Sequence, residues 1–137
     1  GNADIEATLS DIGWDYSIDA DGDYRLILST DSTRTQLGWI ASTPSDEPGG
    51  PGGYEVFSIA YDSTAAPYRA ALRDALLTNG PAHGGFEMFE VGGGRIRIFY
   101  SAYTPPNPTA TDIRQVVSDV FRRADSFEKK HVGGDEL

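Results

Sequence analysis

Residues 14–28, WDYSIDADGDYRLIL, form the stretch that decides the fold. Apolar residues occupy every second position in residues 14–18, which is typical of a strand with one solvent-facing side. The Asp21-Gly22 pair follows, and Asp-Gly between two alternating runs is a strong β-hairpin signal. The alternation resumes in residues 24–28. We therefore predict a hairpin here, and an antiparallel sheet built around it.

A short helix is predicted before this hairpin, over about residues 3–12. Asn2 or Asp4 can cap its first turn, and Gly13 can adopt the left-handed conformation that ends many helices. Its apolar positions recur at i, i+3, i+4 and i+7, as on one face of a helix, and are Ile5, Thr8, Leu9 and Ile12.

Further strands are predicted on the C-terminal side. A third strand begins at residues 37–41, a fourth spans residues 54–61, and a second hairpin pairs residues 85–91 with 95–102. Residues 42–53, STPSDEPGGPGG, hold three prolines and four glycines and are predicted to form a loop. Both sides of the fourth strand carry apolar residues, so either both are covered or one is open for binding.

Two more helices complete the pattern. The predicted middle helix starts after Asp62-Ser63-Thr64 and ends at Asn79-Gly80. The last helix begins at a capping box made by Thr109 and Asp112. Its apolar stripe contains Ile113, Val116, Val117, Val120, Phe121, Ala124 and Phe127, and its predicted polar side contains Arg114, Gln115, Ser118, Arg122 and Asp125.

The predicted order is α-β-β-β-β-α-β-β-α. Hairpins dominate this order, so the fold class is α+β, a mostly antiparallel sheet with helices packed on it. A length of 137 residues suits a single domain, residues 1–137, with residues 131–137 as a C-terminal tail.

Charge and composition restrict the classes of partner. Acidic residues outnumber basic ones by 21 to 11, and the net charge is −10. Such a chain repels phosphate backbones and anionic lipids, so we predict neither nucleic acid nor membrane as a partner. The chain has no cysteine, which excludes disulfides and thiolate metal sites. This composition agrees with a cytoplasmic location.

Three aspartates in the first hairpin have the spacing that opens a calcium-binding EF-hand loop. They are Asp19, Asp21 and Asp23. That loop also needs glycine at its sixth place and an acid at its twelfth, where this chain has Tyr24 and Thr30. We therefore interpret the three aspartates as turn residues.

Other chemical motifs are also incomplete. Gly92-Gly93-Gly94 lacks the lysine and hydroxyl residue of a phosphate-binding loop and is predicted to be a tight turn. The two histidines, His83 and His131, have no partner at a metal-binding spacing. We predict no metal, no cofactor and no catalytic set.

The predicted middle helix carries small and apolar residues opposite its own core stripe, where a helix covering a sheet is usually polar. One hypothesis is a homodimer interface formed by Ala66, Ala70, Arg73 and Leu77. The alternative is that alanine is simply a good helix former and Leu77 a single exposed residue.

Apolar residues on the third and fourth strands indicate a possible partner-binding surface on the sheet. Its candidate residues are Trp39, Tyr54 and Val56. A closed cavity with a perturbed carboxylate would favour small-ligand chemistry, whereas an open apolar groove would favour a peptide.

The chain from Asp11 to His131 carries four features of one known family. They are residues 12–16 (IGWDY) leading into the aspartate turn, a leucine-containing middle helix ending at Asn79, residues 85–87 (GFE) and residues 124–127 (ADSF). In these features the chain resembles the YbjN family, which shares the fold of the class I type III secretion chaperones. The resemblance implies an α+β sandwich-like fold, dimerisation through the middle helix, and binding rather than catalysis. The loop at residues 42–53 and an extra strand fit the YbjN-like group better than the secretion chaperones.

These observations lead to a functional hypothesis. We expect a non-enzymatic protein-binding module, chaperone-like or regulatory, that acts as a homodimer and binds a protein or peptide. The alternative is a small-molecule-binding domain or a hydrolase that uses surface carboxylates. Glu87 and Glu90 differ in strand parity, so we expect them on opposite faces rather than as a reactive pair.

Overall fold

The computed structural model describes residues 2–30, 33–45, 52–63, 84–90 and 95–131. Two helices, α1 (Ala3–Ile12) and α2 (Ala110–His131), frame six strands within these residues. The strands are β1 (Ser17–Ile18), β2 (Tyr24–Ser29), β3 (Thr35–Ile40), β4 (Glu55–Ser63), β5 (Gly84–Glu90) and β6 (Ile96–Tyr103).

The strands form one sheet in the order β1-β2-β3-β4-β6-β5. Every neighbouring pair is antiparallel. The α+β class and the antiparallel sheet predicted from the sequence are therefore confirmed. The predicted middle helix, from residue 64 onwards, lies outside the described residues, as do the centre of the predicted loop and most of the predicted tail.

Both helix starts have the caps that the sequence predicts. Asn2 Oδ1 accepts hydrogen bonds from the backbone N–H groups of Asp4 and Ile5, at 3.0 and 3.2 Å. In α2, Asp112 N donates to Thr109 Oγ1 at 3.1 Å, and Thr109 N donates back to the Asp112 carboxylate at 2.9 Å. These bonds satisfy N–H groups that have no partner inside the helix.

The first hairpin has the predicted aspartate turn. Asp19 Oδ1 accepts from the backbone N–H groups of Asp21 and Asp23, at 2.9 and 3.0 Å, and Gly22 has a positive φ of 87°. The Asp19 carboxylate thus holds the turn closed, as expected for an Asx turn. Strand β1 is shorter than predicted, because only Ser17 and Ile18 pair with β2.

The helices cover one face of the sheet. Phe121 of α2 and Leu9 of α1 are almost completely buried, and Val116 is half-buried at the edge of the apolar stripe. Burial of such side chains contributes about 1.5–3 kcal/mol each, so this interface is the main source of stability. The sheet supplies Tyr24, Leu26, Ile40, Val56, Ile98, Tyr100 and Ala102 to the core, and α2 supplies Ile113, Val117, Val120, Phe121, Ala124 and Phe127.

One residue of the predicted polar side of α2 is buried. Asp125 is only 7% exposed, because its Oδ1 accepts from Arg34 Nε at 2.9 Å. Arg34 Nη2 also donates to Glu128 Oε1 at 2.9 Å, and Glu128 is fully buried. The prediction that Asp125 faces solvent is therefore wrong, since an arginine from the chain segment before β3 compensates its charge.

Strand β4 is longer than predicted and irregular. Asp62 and Ser63 extend β4 two residues beyond its predicted end. The register shifts between Ile59, opposite Phe99, and Tyr61, opposite Ile98. This β-bulge turns Tyr61 into the helix-covered core, whereas strict alternation along the strand would predict it on the same face as Ile59.

Candidate binding surface

The face of the sheet opposite the helices carries a row of aromatic residues. Gly38 faces α2, because a Cβ placed there would meet the ring of Phe121. Successive residues of a strand project to opposite faces, so Trp39 projects away from the helices. Trp39 lies opposite Phe57 of β4 in the strand register, and residues directly opposite each other share a face.

Two residues from the β5–β6 side extend this row. Phe99 lies opposite both Ile59 of β4 and Glu87 of β5, which places it on the open face. Phe89 of β5 lies two residues beyond Glu87 and shares its face. We call Trp39, Phe57, Phe89 and Phe99 the aromatic surface.

The rings of the aromatic surface contact one another. Trp39 and Phe57 stack with centroids 5.4 Å apart and an interplanar angle of 15°. Phe99 meets Phe57 and Phe89 edge-on, at 5.9 and 5.7 Å. Stacked and edge-to-face pairs add about 0.5–1.5 kcal/mol each to the effect of area burial, so the four rings hold one another in place.

The aromatic surface is partly exposed. Phe89 is 47% exposed, and Trp39, Phe57 and Phe99 are half-buried. Ile27, which is 55% exposed, extends the apolar area towards β2. Contiguous exposed apolar area of this kind marks interaction sites on soluble proteins.

Acidic residues border the aromatic surface at one end. Phe57, Phe89 and Phe99 line an open groove of about 400 Å³. The charged residues of its lining are Glu55, Glu87, Glu90 and Arg97. Three glutamates and one arginine give this end a net charge of −2. At the other end, Arg25 lies opposite Trp39 in the register of β2 and β3.

The arginine of the groove is already paired. Arg97 Nε and Nη2 donate to Asp62 Oδ2 at 3.0 and 2.8 Å, and Arg95 Nη2 donates to the same carboxylate at 2.8 and 2.9 Å. Burial alone would raise the pKa of Asp62, but the hydrogen bonds and charges of Arg97 and Arg95 outweigh it and lower the pKa below its usual range. Asp62 is thus held ionised and ties β4 to β6.

Only one of the three predicted partner-binding residues belongs to this surface. Trp39 lies on the open face. Val56 is fully buried in the core, and the hydroxyl of Tyr54 accepts a hydrogen bond from Asn2 Nδ2 at 2.8 Å on the helix side. The prediction is therefore wrong for Val56, whose position along β4 points it towards the helices. Tyr54 is half-buried on the helix side and does not join the aromatic surface.

The remaining predicted sites have different outcomes. The proposed dimer residues Ala66, Ala70, Arg73 and Leu77 lie outside the described residues, as do His83 and the three glycines at residues 92–94. Glu87 lies opposite Phe99 on the open face, whereas Glu90 lies opposite Ile96, which packs against the core. The two glutamates therefore lie on opposite strand faces as predicted, although Glu90, the last residue of β5, also borders the groove. Among the residues that the structure describes, no three His, Cys, Asp or Glu side chains form a group suited to a metal ion.

The predicted partner-binding set did not include the other three members of the aromatic surface, Phe57, Phe89 and Phe99. The signal was present in the alternation of β4 and β6, where each strand carries apolar residues on both faces. Alternation alone cannot say which of two apolar faces the helices cover.

A larger open groove, of about 810 Å³, lies between α2 and the β5–β6 side of the sheet. Phe86, Val116 and Pro106 contribute to its lining, and its acids among the described residues are Glu87 and Asp119. Asp119 already binds Arg123 Nε at 3.0 Å through both carboxylate oxygens. This groove is apolar in character and open to solvent.

Comparison with known proteins leaves the family open. No protein-family model, curated protein or solved structure matches the chain. The resemblance to the YbjN family therefore stays a prediction. Neither helix in the described part of the chain combines the length and the apolar character needed to cross a membrane.

Proposed function

We propose that this protein is a non-enzymatic protein-binding module, chaperone-like or regulatory, that binds an apolar protein segment on its open sheet face and acts as a homodimer. The observation that carries the proposal is the aromatic surface, a ring cluster that is partly exposed on the face opposite α1 and α2. Exposure of these aromatic side chains to water is unfavourable and does not stabilise the fold. A role in binding explains why they are exposed.

The shape of the surface also favours a peptide over a small molecule as the ligand. Both grooves described above are open, which suits an extended segment. The perturbed carboxylate, Asp62, has a lowered pKa, whereas a general acid needs a raised one. Other buried or turn carboxylates, such as Asp19 and Asp125, already have structural partners.

Tryptophan fluorescence can test this function directly. The chain has two tryptophans, so Trp14→Phe leaves Trp39 as the only reporter on the aromatic surface. In this background, we expect leucine-rich amphipathic peptides to shift Trp39 emission to shorter wavelength with saturation. A serine-glycine peptide of equal length is the negative control.

Two matched variants locate the binding. Phe89→Ser removes an exposed ring of the aromatic surface and should weaken peptide binding about tenfold, since an interface anchor contributes about 1–2 kcal/mol. Ile18→Ser removes a similarly exposed apolar side chain from β1, at the other edge of the sheet, and should leave binding unchanged. Equal binding by both variants, or no response to any peptide, would refute the proposed function.

A further inference from the structure

The acidic end of the aromatic surface has the chemistry of a site for an organic cation. Its floor consists of the rings of Phe57, Phe89 and Phe99, and Glu55, Glu87 and Glu90 border it. Aromatic faces attract cations through their negative quadrupole, and nearby carboxylates add direct charge attraction. An anionic ligand would meet three glutamates and a chain of net charge −10.

The charges of the groove do not cancel internally. Arg97 is its only cationic lining residue in the part of the chain that the structure describes, and Asp62 engages it through two hydrogen bonds. Glu87 and Glu90 are exposed and form no ion pair with the described residues. The Tyr103 hydroxyl lies 3.4 Å from Glu55 Oε2, and this contact fixes the Glu55 carboxylate beside the groove.

The position of the groove favours a side chain over a free small cation. It continues directly into the Trp39–Phe57 stack, since Phe57 belongs to both. A segment lying across β6, β4 and β3 could therefore place a cation over Phe99 and an apolar side chain on Trp39. Arginine suits this arrangement better than lysine, because its planar guanidinium stacks on rings and binds carboxylates with two parallel hydrogen bonds.

We infer that the groove between Phe57, Phe89 and Phe99 binds an arginine side chain of a partner protein segment, whose neighbouring apolar residue packs on Trp39. This inference rests on the proposed function and adds the partner's chemistry: a basic, apolar segment rather than a merely apolar one. The acidic net charge of the chain would also accelerate the approach of such a partner.

Three synthetic ten-residue peptides test the inference. They alternate leucine and serine and differ only at one central position, which holds arginine, lysine or citrulline, the uncharged analogue of arginine. Binding to the isotope-labelled full chain is followed by the NMR shifts of the β4, β5 and β6 amides. We expect the arginine peptide to bind about tenfold more tightly than the citrulline peptide, with an advantage that falls as salt increases.

A charge-matched pair of variants assigns the effect to the groove. Glu87→Gln should reduce the preference for arginine over citrulline several-fold. Asp11→Asn removes an equally exposed carboxylate from α1 and should leave the preference intact. Equal affinity of the citrulline and arginine peptides would overturn the inference and leave the proposed function standing. Absence of shifts on the open face with all three peptides would overturn both.

Discussion

The ring of Phe121 in α2 lies directly against Gly38 in β3. A Cβ at Gly38 would come within 2.4 Å of Phe121 Cε1 and Cζ and within 2.7 Å of the carbonyl oxygen of Phe57. Real Cβ atoms do not approach other heavy atoms so closely. The missing side chain of Gly38 therefore lets α2 sit close to the centre of the sheet, with the aromatic surface on the other side.

Gly38→Ala should destabilise the protein. Overpacking a well-packed core costs about 1–3 kcal/mol, and here both a ring and a backbone oxygen obstruct the new methyl group. Urea unfolding followed by circular dichroism measures the loss. Adding Phe121→Leu to Gly38→Ala should cost less than the sum of the two single changes, since the smaller side chain relieves part of the clash. An unchanged unfolding midpoint for Gly38→Ala would contradict the close packing.

Arg34→Met should be among the most destabilising changes of a polar residue. It leaves the buried carboxylates of Asp125 and Glu128 without the cation that holds them, and breaking a buried ion pair costs about 3–5 kcal/mol. The triple variant Arg34→Met, Asp125→Asn and Glu128→Gln should recover much of that loss, because no uncompensated charge remains. Denaturant unfolding measures both variants.

Arg122→Met is the control for this prediction. Arg122 is 71% exposed, and its ion pair with Asp119 is long, at 3.7 Å. Such surface pairs contribute little, so the change should leave stability nearly unaltered. Equal effects of Arg34→Met and Arg122→Met would contradict the structural role of the buried cluster.

Asp62 should give the protein a pH-dependent part of its stability. Its folded-state pKa is lowered, so its contribution is fully present above the unfolded-state pKa of about 3.9 and is lost as pH falls through the folded-state value. The difference in unfolding free energy between the unmodified protein and Asp62→Asn should therefore be constant near neutral pH and decrease below about pH 4.

Arg97 provides the control for the pH dependence. In an Arg97→Gln background, Asp62 loses two of its hydrogen bonds, so the effect of Asp62→Asn should shrink at neutral pH. Denaturant unfolding at a series of pH values measures this. If the difference in unfolding free energy between the unmodified protein and Asp62→Asn increased towards acid pH, it would have the wrong sign and would contradict the ion pair.

The homodimer through the predicted middle helix stays a prediction, and mass measurement can test it. We expect a dimer by light scattering at tens of micromolar protein. Leu77→Glu should convert it to a monomer, since a charge in an apolar interface is costly to bury. Gln115→Glu adds the same charge to the exposed side of α2 and should leave the mass unchanged. A monomeric unmodified protein would support the alternative, in which the alanines only favour helix formation.

Local features of the fold followed from local chemistry. The Asn2 cap, the Thr109–Asp112 capping box and the Asp19 turn are all made by residues within four positions of each other, so their hydrogen bonds could be predicted from spacing. The residues of the candidate site were harder to predict from the sequence. Trp39 was predicted, but Val56 was placed on the wrong face.

The sequence by itself determined the α+β class, the helix ends, the first hairpin and an acidic charge that repels phosphates. Only the tertiary structure decided that β6 lies between β4 and β5, that the helices cover the Val56 side of the sheet, and that Phe57, Phe89 and Phe99 meet on the other side. The physical reason is that caps and turns involve neighbours along the chain. Strand order depends on contacts between residues far apart in sequence, and so does the choice of the sheet face that the helices cover. The alternation of apolar residues along a strand is the same whichever face is covered.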